Sequence, residues 1–188
     1  MNQCLLELLQ KRSPSRAISS SPLKDDVLRS LMQSAQLSAS CFNNQPWRFL
    51  FLTEESALEK GRKALSGGNS WAKTAPLLII GFSKPELDCQ LKDGRQYYLF
   101  DLGMAAQLIM LQATELDLIA RPMAGYDPQI LKDAFDFPDG YEIYVMIAVG
   151  EHGNIGDLDE NLRKRSTETR KRNFLDQNFF VNHLSNLK

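Results

Sequence analysis

The sequence predicts an α+β fold, and three observations point to it. Apolar residues recur at helical spacing around 27–35 and again over 95–117. Compact aliphatic and aromatic runs at 47–53, 77–82 and 143–149 are too short for helices and read as strands. The composition of the 188 residues, 43% hydrophobic and 24% charged, is that of an ordinary globular protein with enough chain for one domain and a sizeable core. A single domain over 1–188 is therefore expected.

Taken in order, residues 2–10 read as a short helix that ends in the Ser- and Pro-rich stretch 11–22. A second helix opens after Pro22 with an acidic first turn, Asp25 and Asp26, and carries Val27, Leu28, Leu31, Met32 and Ala35 on one face. A polar loop, 39–46, leads into the strand 47–53. Residues 54–65 read as a helix stopped by Gly67 and Gly68, and 77–82 as a fully buried strand. The longest helical pattern, 95–117, is apolar nearly all round between Leu99 and Ala113. At about 35 Å long it must bury every side, in the core or against a second subunit. A short strand at 119–123, a short helix at 128–135 and a strand at 143–149 follow. From 151 to 172 the chain is polar without a core-facing period. Phe174, Leu175, Phe179, Phe180 and Val181 then return as an apolar cluster, either folded back on the domain or extended as an arm onto a partner.

Several classes of function are disfavoured. A formal net charge of -1 gives no bulk attraction to nucleic acid or membrane. Cysteines at 4, 41 and 89 form no Cys-x-x-Cys pair, and His152 and His183 lie far from all of them in sequence, so neither a metal site nor a disulfide framework is expected. The N-terminal segment lacks the pattern of a secretory signal, and the longest apolar run is too short to span a bilayer. A reducing cytoplasm is the expected setting. Dinucleotide fingerprints, phosphate loops of the Gly-Lys-Ser/Thr type and nucleophile elbows are absent from the sequence.

The residues with binding chemistry fall in five segments. Ala39-Ser40-Cys41-Phe42-Asn43-Asn44-Gln45-Pro46-Trp47 presents hydroxyls and carboxamides that both donate and accept, which suits the edge of a flat heteroaromatic ring. Lys11-Arg12-Ser13-Pro14-Ser15-Arg16 offers guanidinium forks and hydroxyls of the kind a phosphate monoester needs. Asn69 sits in a turn before a strand. Pro122-Met123-Ala124-Gly125-Tyr126 contains a Gly that permits close backbone approach. Arg170-Lys171-Arg172 closes a basic run. Read singly, these segments are also an ordinary helix-to-strand loop, a basic helix terminus, a turn Asn and a solvated charged face.

Together and in this order, they resemble the FMN-dependent nitroreductase family. The segment 39–47 is similar to its Pro-Ser-Ser-x-Asn-x-Gln-Pro-Trp signature, with Ala39 and Cys41 as departures. Residues 11–16 are similar to its Arg-Arg-Ser-x-Arg element, with Pro14 as a departure. The resemblance implies a mostly antiparallel central sheet with helices on both faces, and a homodimer whose C-terminal arm packs on the partner. It also implies FMN as cofactor and NADH or NADPH as electron donor. On this basis Arg12, Ser13, Arg16, Asn69, Ala124, Gly125, Arg170 and Arg172 are expected to hold the flavin, with Arg12 and Arg172 meeting at its phosphate and Arg16 near its pyrimidine end. Ser40, Asn43 and Gln45 are expected to serve the partner's flavin. No catalytic side chain is implied, because the cofactor carries the hydride chemistry. The acceptor would be a nitroaromatic, a quinone or a similar small molecule, with other flavin chemistry, flavin storage or nucleic-acid binding by the basic tail as alternatives.

Overall fold

The computed structural model describes residues 6–184. Its framework is a four-stranded sheet made of β1 (Arg48–Leu52), β2 (Leu77–Ser83), β3 (Leu118–Met123) and β4 (Glu142–Glu151). The spatial order is β1-β2-β4-β3 and every neighbouring pair is antiparallel. The central position of β2 and β4 explains their near-continuous apolar sequences. With helices on either side, successive side chains of a strand point into different cores and both must be apolar.

That alternation is visible residue by residue. Leu77 and Ile79 of β2 join Ile147 and Val149 of β4 in a core with Leu31, Ala35, Leu102, Ala105, Ile109 and Ala113. These last come from α2 (Asp25–Gln36) and α4 (Tyr97–Glu115). Leu78 and Ile80 face the other way, with Met146 and Ala148, toward Leu58 of α3 (Glu55–Lys63) and Leu131 of α5 (Pro128–Ala134). The expected arrangement, helices on both faces of an antiparallel sheet, is what the chain builds. Asp127 caps α5, its carboxylate accepting from the N–H groups of Gln129 and Ile130, and Pro128 occupies the first turn, where no N–H is needed.

Several expectations need correction. The first expected helix falls partly outside the described residues, and within them α1 is Glu7–Lys11. The long helix is 19 residues rather than about 23. It is not covered on every side: Leu99 and Phe100 are 37% and 56% exposed, and the site of a Cβ on Gly103 is open space. The segment after β4, read as polar without a core-facing period, contains α6 (Glu160–Thr167), capped by Asp159 and without a fully buried residue. Leu162 alone packs against the core from this helix, and one apolar residue makes no period to read. A short α7 (Leu175–Asn178) follows. Phe174, Leu175, Phe179 and Val181 around it are 69–83% exposed, so the tail does not fold its apolar cluster back onto its own domain.

Two further contacts fix the geometry of the site. Residues 17–19 run beside the end of β4: Ser19 N–H donates to the Glu151 carbonyl at 2.9 Å and Gly153 N–H to that of Ala17 at 2.8 Å. Gly153 is required there, since a Cβ would stand 2.8 Å from the Ile18 carbonyl carbon and 2.9 Å from the Ser19 nitrogen. At the opposite end of the sheet Cys41 and Cys89 form a disulfide, Cα to Cα 6.3 Å, which corrects the expectation that no cysteines pair. The cause is register. Arg48 of β1 sits opposite Phe82 of β2, so the chain preceding β1 and the chain following β2 leave the sheet at the same end.

Candidate functional site

The basic segments from the two ends of the sequence meet. The Arg170 guanidinium reaches back to the N-terminal segment and donates to the carbonyls of Leu9 (3.1 Å), Gln10 (3.3 Å) and Arg12. Burial, and then the charges of Arg170 and Arg172, hold the Arg12 guanidinium below its ordinary value. Arg16, itself buried, is lowered by burial and by Arg165, with Glu168 opposing. Arg121 is lowered most, to about 10, by burial first and then by Arg16, Arg165 and Arg12. Six guanidinium groups thus share one region, and among the described residues none of them forms an ion pair with a carboxylate. Buried or crowded cations that outnumber their nearby carboxylates, here Glu168 beside Arg16, are costly unless an anion completes them.

Arg121 and Arg165 escaped the sequence reading. For Arg121 a signal exists: it is the one charged residue within an otherwise apolar strand, Leu118–Met123. On β3 it shares a face with Ile119 and Met123, its guanidinium lies 5.5 Å from the centre of the Trp71 ring, and it donates to the Pro14 carbonyl. Arg165 stood inside a run read as solvated charge, and nothing in its spacing separates it from its neighbours.

A second group of expected residues converges through Trp71. Its indole N–H donates to the Asn69 Oδ1 at 3.3 Å, and the Asn69 amide donates to the Gly125 carbonyl at 2.9 Å. Asn69 and Gly125, far apart in sequence, are therefore neighbours. The protein's own packing already requires glycine here. A Cβ on Gly125 would stand 2.5 Å from the Ser66 Oγ and 2.8 Å from the Asn69 Nδ2, so the vacant volume is used by protein side chains. Ala124 is exposed on the same turn, and its carbonyl accepts from Tyr126 N–H at 3.2 Å. A cleft of about 570 Å³ adjoins this group, lined by Arg16, Ser20, Ser70, Trp71, Asn154 and Leu162 among others. Ser13 is exposed and lines a smaller cleft of about 260 Å³ with Lys11 and Thr114.

Ser40, Asn43 and Gln45 are placed elsewhere. Their loop is a short 3-10 turn, Cys41–Asn43, and Phe42, Asn43 and Gln45 take positive φ angles of 48°, 59° and 50°. The Ser40 Oγ accepts the Gln45 N–H at 3.0 Å, and the Gln45 side chain donates to the Asn43 carbonyl at 3.1 Å. These bonds hold an unfavourable backbone. The loop enters β1 beside Phe82, which pairs with Ile143 near the start of β4, whereas residues 17–19 pair beyond its end. Along β4 the two regions are separated by about 30 Å. Within one chain, the loop and the arginine cluster do not meet.

The sequence matches the model of the nitroreductase family over residues 8–79 and 64–151. The chain belongs to the nitroreductase family. A solved structure described as an oxidoreductase containing FMN is 25% identical to this nitroreductase family member, with a TM-score of 0.88 and coverage of 98% of this chain and 95% of its own. An uncharacterized 15.4 kDa protein of Mycolicibacterium smegmatis is 32% identical over 122 residues, spanning 65% of this chain and 80% of the relative. The Bacillus subtilis (strain 168) protein named "Putative NAD(P)H nitroreductase MhqN" is 22% identical over 175 residues, spanning 76% and 85%. Among the described residues, no helix of this family member is long and apolar enough to cross a membrane.

Proposed function

We propose that the protein is a homodimeric FMN-dependent oxidoreductase that takes electrons from NADH or NADPH and passes them to an electron-poor acceptor such as a nitroaromatic or a quinone. The observation that carries this reading is the cluster of Arg12, Arg16, Arg121, Arg165, Arg170 and Arg172 without carboxylate partners. A phosphate monoester carries nearly two negative charges and several acceptor oxygens, and it matches such a cluster in both charge and hydrogen bonding. The relatives' descriptions, one containing FMN and one named for NAD(P)H, agree with it.

In this reading Arg12 and Arg172 grip the phosphate. Arg172 is suited to it, because among the described residues its guanidinium donates to the neighbouring Lys171 carbonyl alone. Arg170 acts as a strut instead, its fork being spent on the carbonyls of residues 9, 10 and 12. Trp71, Asn69 and Gly125 hold one another and form a fixed wall beside the cleft, with Arg16 at its rim. Bound FMN would supply the two-electron chemistry, accepting from the nicotinamide and donating to the acceptor after the nicotinamide leaves.

The homodimer rests on two features. Ser40, Asn43 and Gln45 are too far from the arginines to reach the same ligand in one chain, and in this reading a second copy delivers them. Exposed apolar side chains, Met32, Leu37, Phe42, Leu99 and Phe100 on one side and the tail cluster on another, offer surface for that copy and for a C-terminal arm. The decisive experiment is anaerobic mixing of the purified protein with each nicotinamide. Bleaching of a bound flavin by at least one donor is expected. A colourless protein that takes up no added FMN would sink the proposal.

A further inference from the structure

We propose that Cys41, Cys89 and Asp88 form a redox-gated site for a thiophilic divalent cation of the zinc class, open when the two thiols are reduced and closed when they are joined. The two sulfur atoms and a carboxylate oxygen of Asp88 lie within 4.8 Å of one another. Two thiolates and one carboxylate are a donor set that Zn²⁺ takes readily, with a water completing the tetrahedron.

The second observation is the state of the carboxylates. Asp88 is 7% exposed and Asp101 is fully buried. One oxygen of Asp88 accepts from the Asn44 amide at 3.2 Å, and one of Asp101 accepts the Cys41 backbone N–H at 2.8 Å. The other oxygen of each is buried without a donor. Neither aspartate is paired with a basic side chain among the described residues. Buried carboxylates with free lone pairs require a proton or a cation. A metal on Asp88 answers its free oxygen in the open form, with Asp101 orienting Cys41 from behind through its backbone N–H.

The chemistry balances. The disulfide takes two electrons and two protons from a dithiol reductant, which becomes a disulfide itself. A Zn²⁺ ion then displaces the two thiol protons to solvent, forms two Zn–S bonds and a third bond to Asp88. Both cysteines are only partly buried, so reductant and metal have access. A reducing compartment favours the open form. In either form the site ties the loop that carries Ser40, Asn43 and Gln45 to the chain that follows β2.

The test uses the full chain carrying Cys4→Ser, reduced with dithiothreitol, desalted anaerobically and titrated with Co²⁺. Thiolate-bound cobalt absorbs in the red, beyond oxidised flavin. One cobalt per chain is expected, displaced by Zn²⁺, with zinc protecting Cys41 and Cys89 from alkylation. The oxidised protein and a folded Cys89→Ser variant should show no such band, and Asp88→Asn should bind at least tenfold more weakly. The proposal is overturned if the reduced protein gives no thiolate band, if Cys89→Ser keeps it, or if native protein cannot be reduced at this disulfide.

Discussion

Replacing Arg121 with Met should change stability and ligand affinity in opposite directions. The guanidinium is lowered from its ordinary value to about 10, mainly by burial, which corresponds to an unfavourable contribution of about 3 kcal/mol for keeping it charged. Solvent screening halves this to roughly 1.5 kcal/mol. Met retains much of the volume but loses the contact over Trp71, worth about 0.5 kcal/mol. The flavin-free protein should therefore gain about 1 kcal/mol, a rise of roughly 2–4 °C in Tm. FMN affinity should fall by at least tenfold, because an anion loses one of its cations. The pH dependence follows with a definite sign. The folded value lies below the unfolded one, so the penalty is full below about pH 10 and fades as pH rises through it. The advantage of the Met variant should shrink between pH 9 and about 11. Thermal unfolding of both proteins without flavin, with a flavin titration alongside, measures both effects. A Met variant that is less stable without flavin and binds FMN normally would refute the reasoning.

Three other outcomes are expected. Arg12→Ala and Arg172→Ala should each release flavin on gel filtration without unfolding the protein; unchanged affinity in both would break the shared-phosphate assignment. Gly153→Ala should cost about 2 kcal/mol in urea unfolding, because the new Cβ meets the Ile18 and Ser19 backbone, and a neutral result would show that residues 17–19 can move. Phe100→Asp should shift the protein from dimer to monomer in sedimentation, since Phe100 is 56% exposed on the open side of α4; an unaltered dimer would place the interface elsewhere.

The elements with a buried face were legible in the sequence. Val27 to Ala35 gave α2 its period, and the runs at 77–82 and 143–149 gave β2 and β4, because an apolar stripe is what burial imposes on sequence. Helix α6 has no such stripe and could not be seen. The Cys41–Cys89 pairing depends on the register of β1 against β2, which no spacing of cysteines reveals. The outer face of α4 illustrates a different limit. Its sequence predicts burial that one chain does not provide, and the exposed Leu99 and Phe100 are surface the proposed dimer would cover. In the candidate site, the fold sets the charges of Arg170 and Arg172 beside Arg12, a proximity that no local pattern in the sequence displays. Arg121 was overlooked because 119–123 was read only as a short strand, when a cation half-buried within an apolar strand is the stronger statement.

The central claim is that the arginines from both ends of the chain build one phosphate site. Comparing FMN with riboflavin, which lacks only the phosphate, tests it most directly in a fluorescence titration of the flavin-free protein. FMN should bind at least a hundredfold more tightly, and Arg12→Ala should remove most of that difference, since each charge-assisted contact contributes about 1.5–3 kcal/mol. Equal affinity for the two flavins would contradict the account.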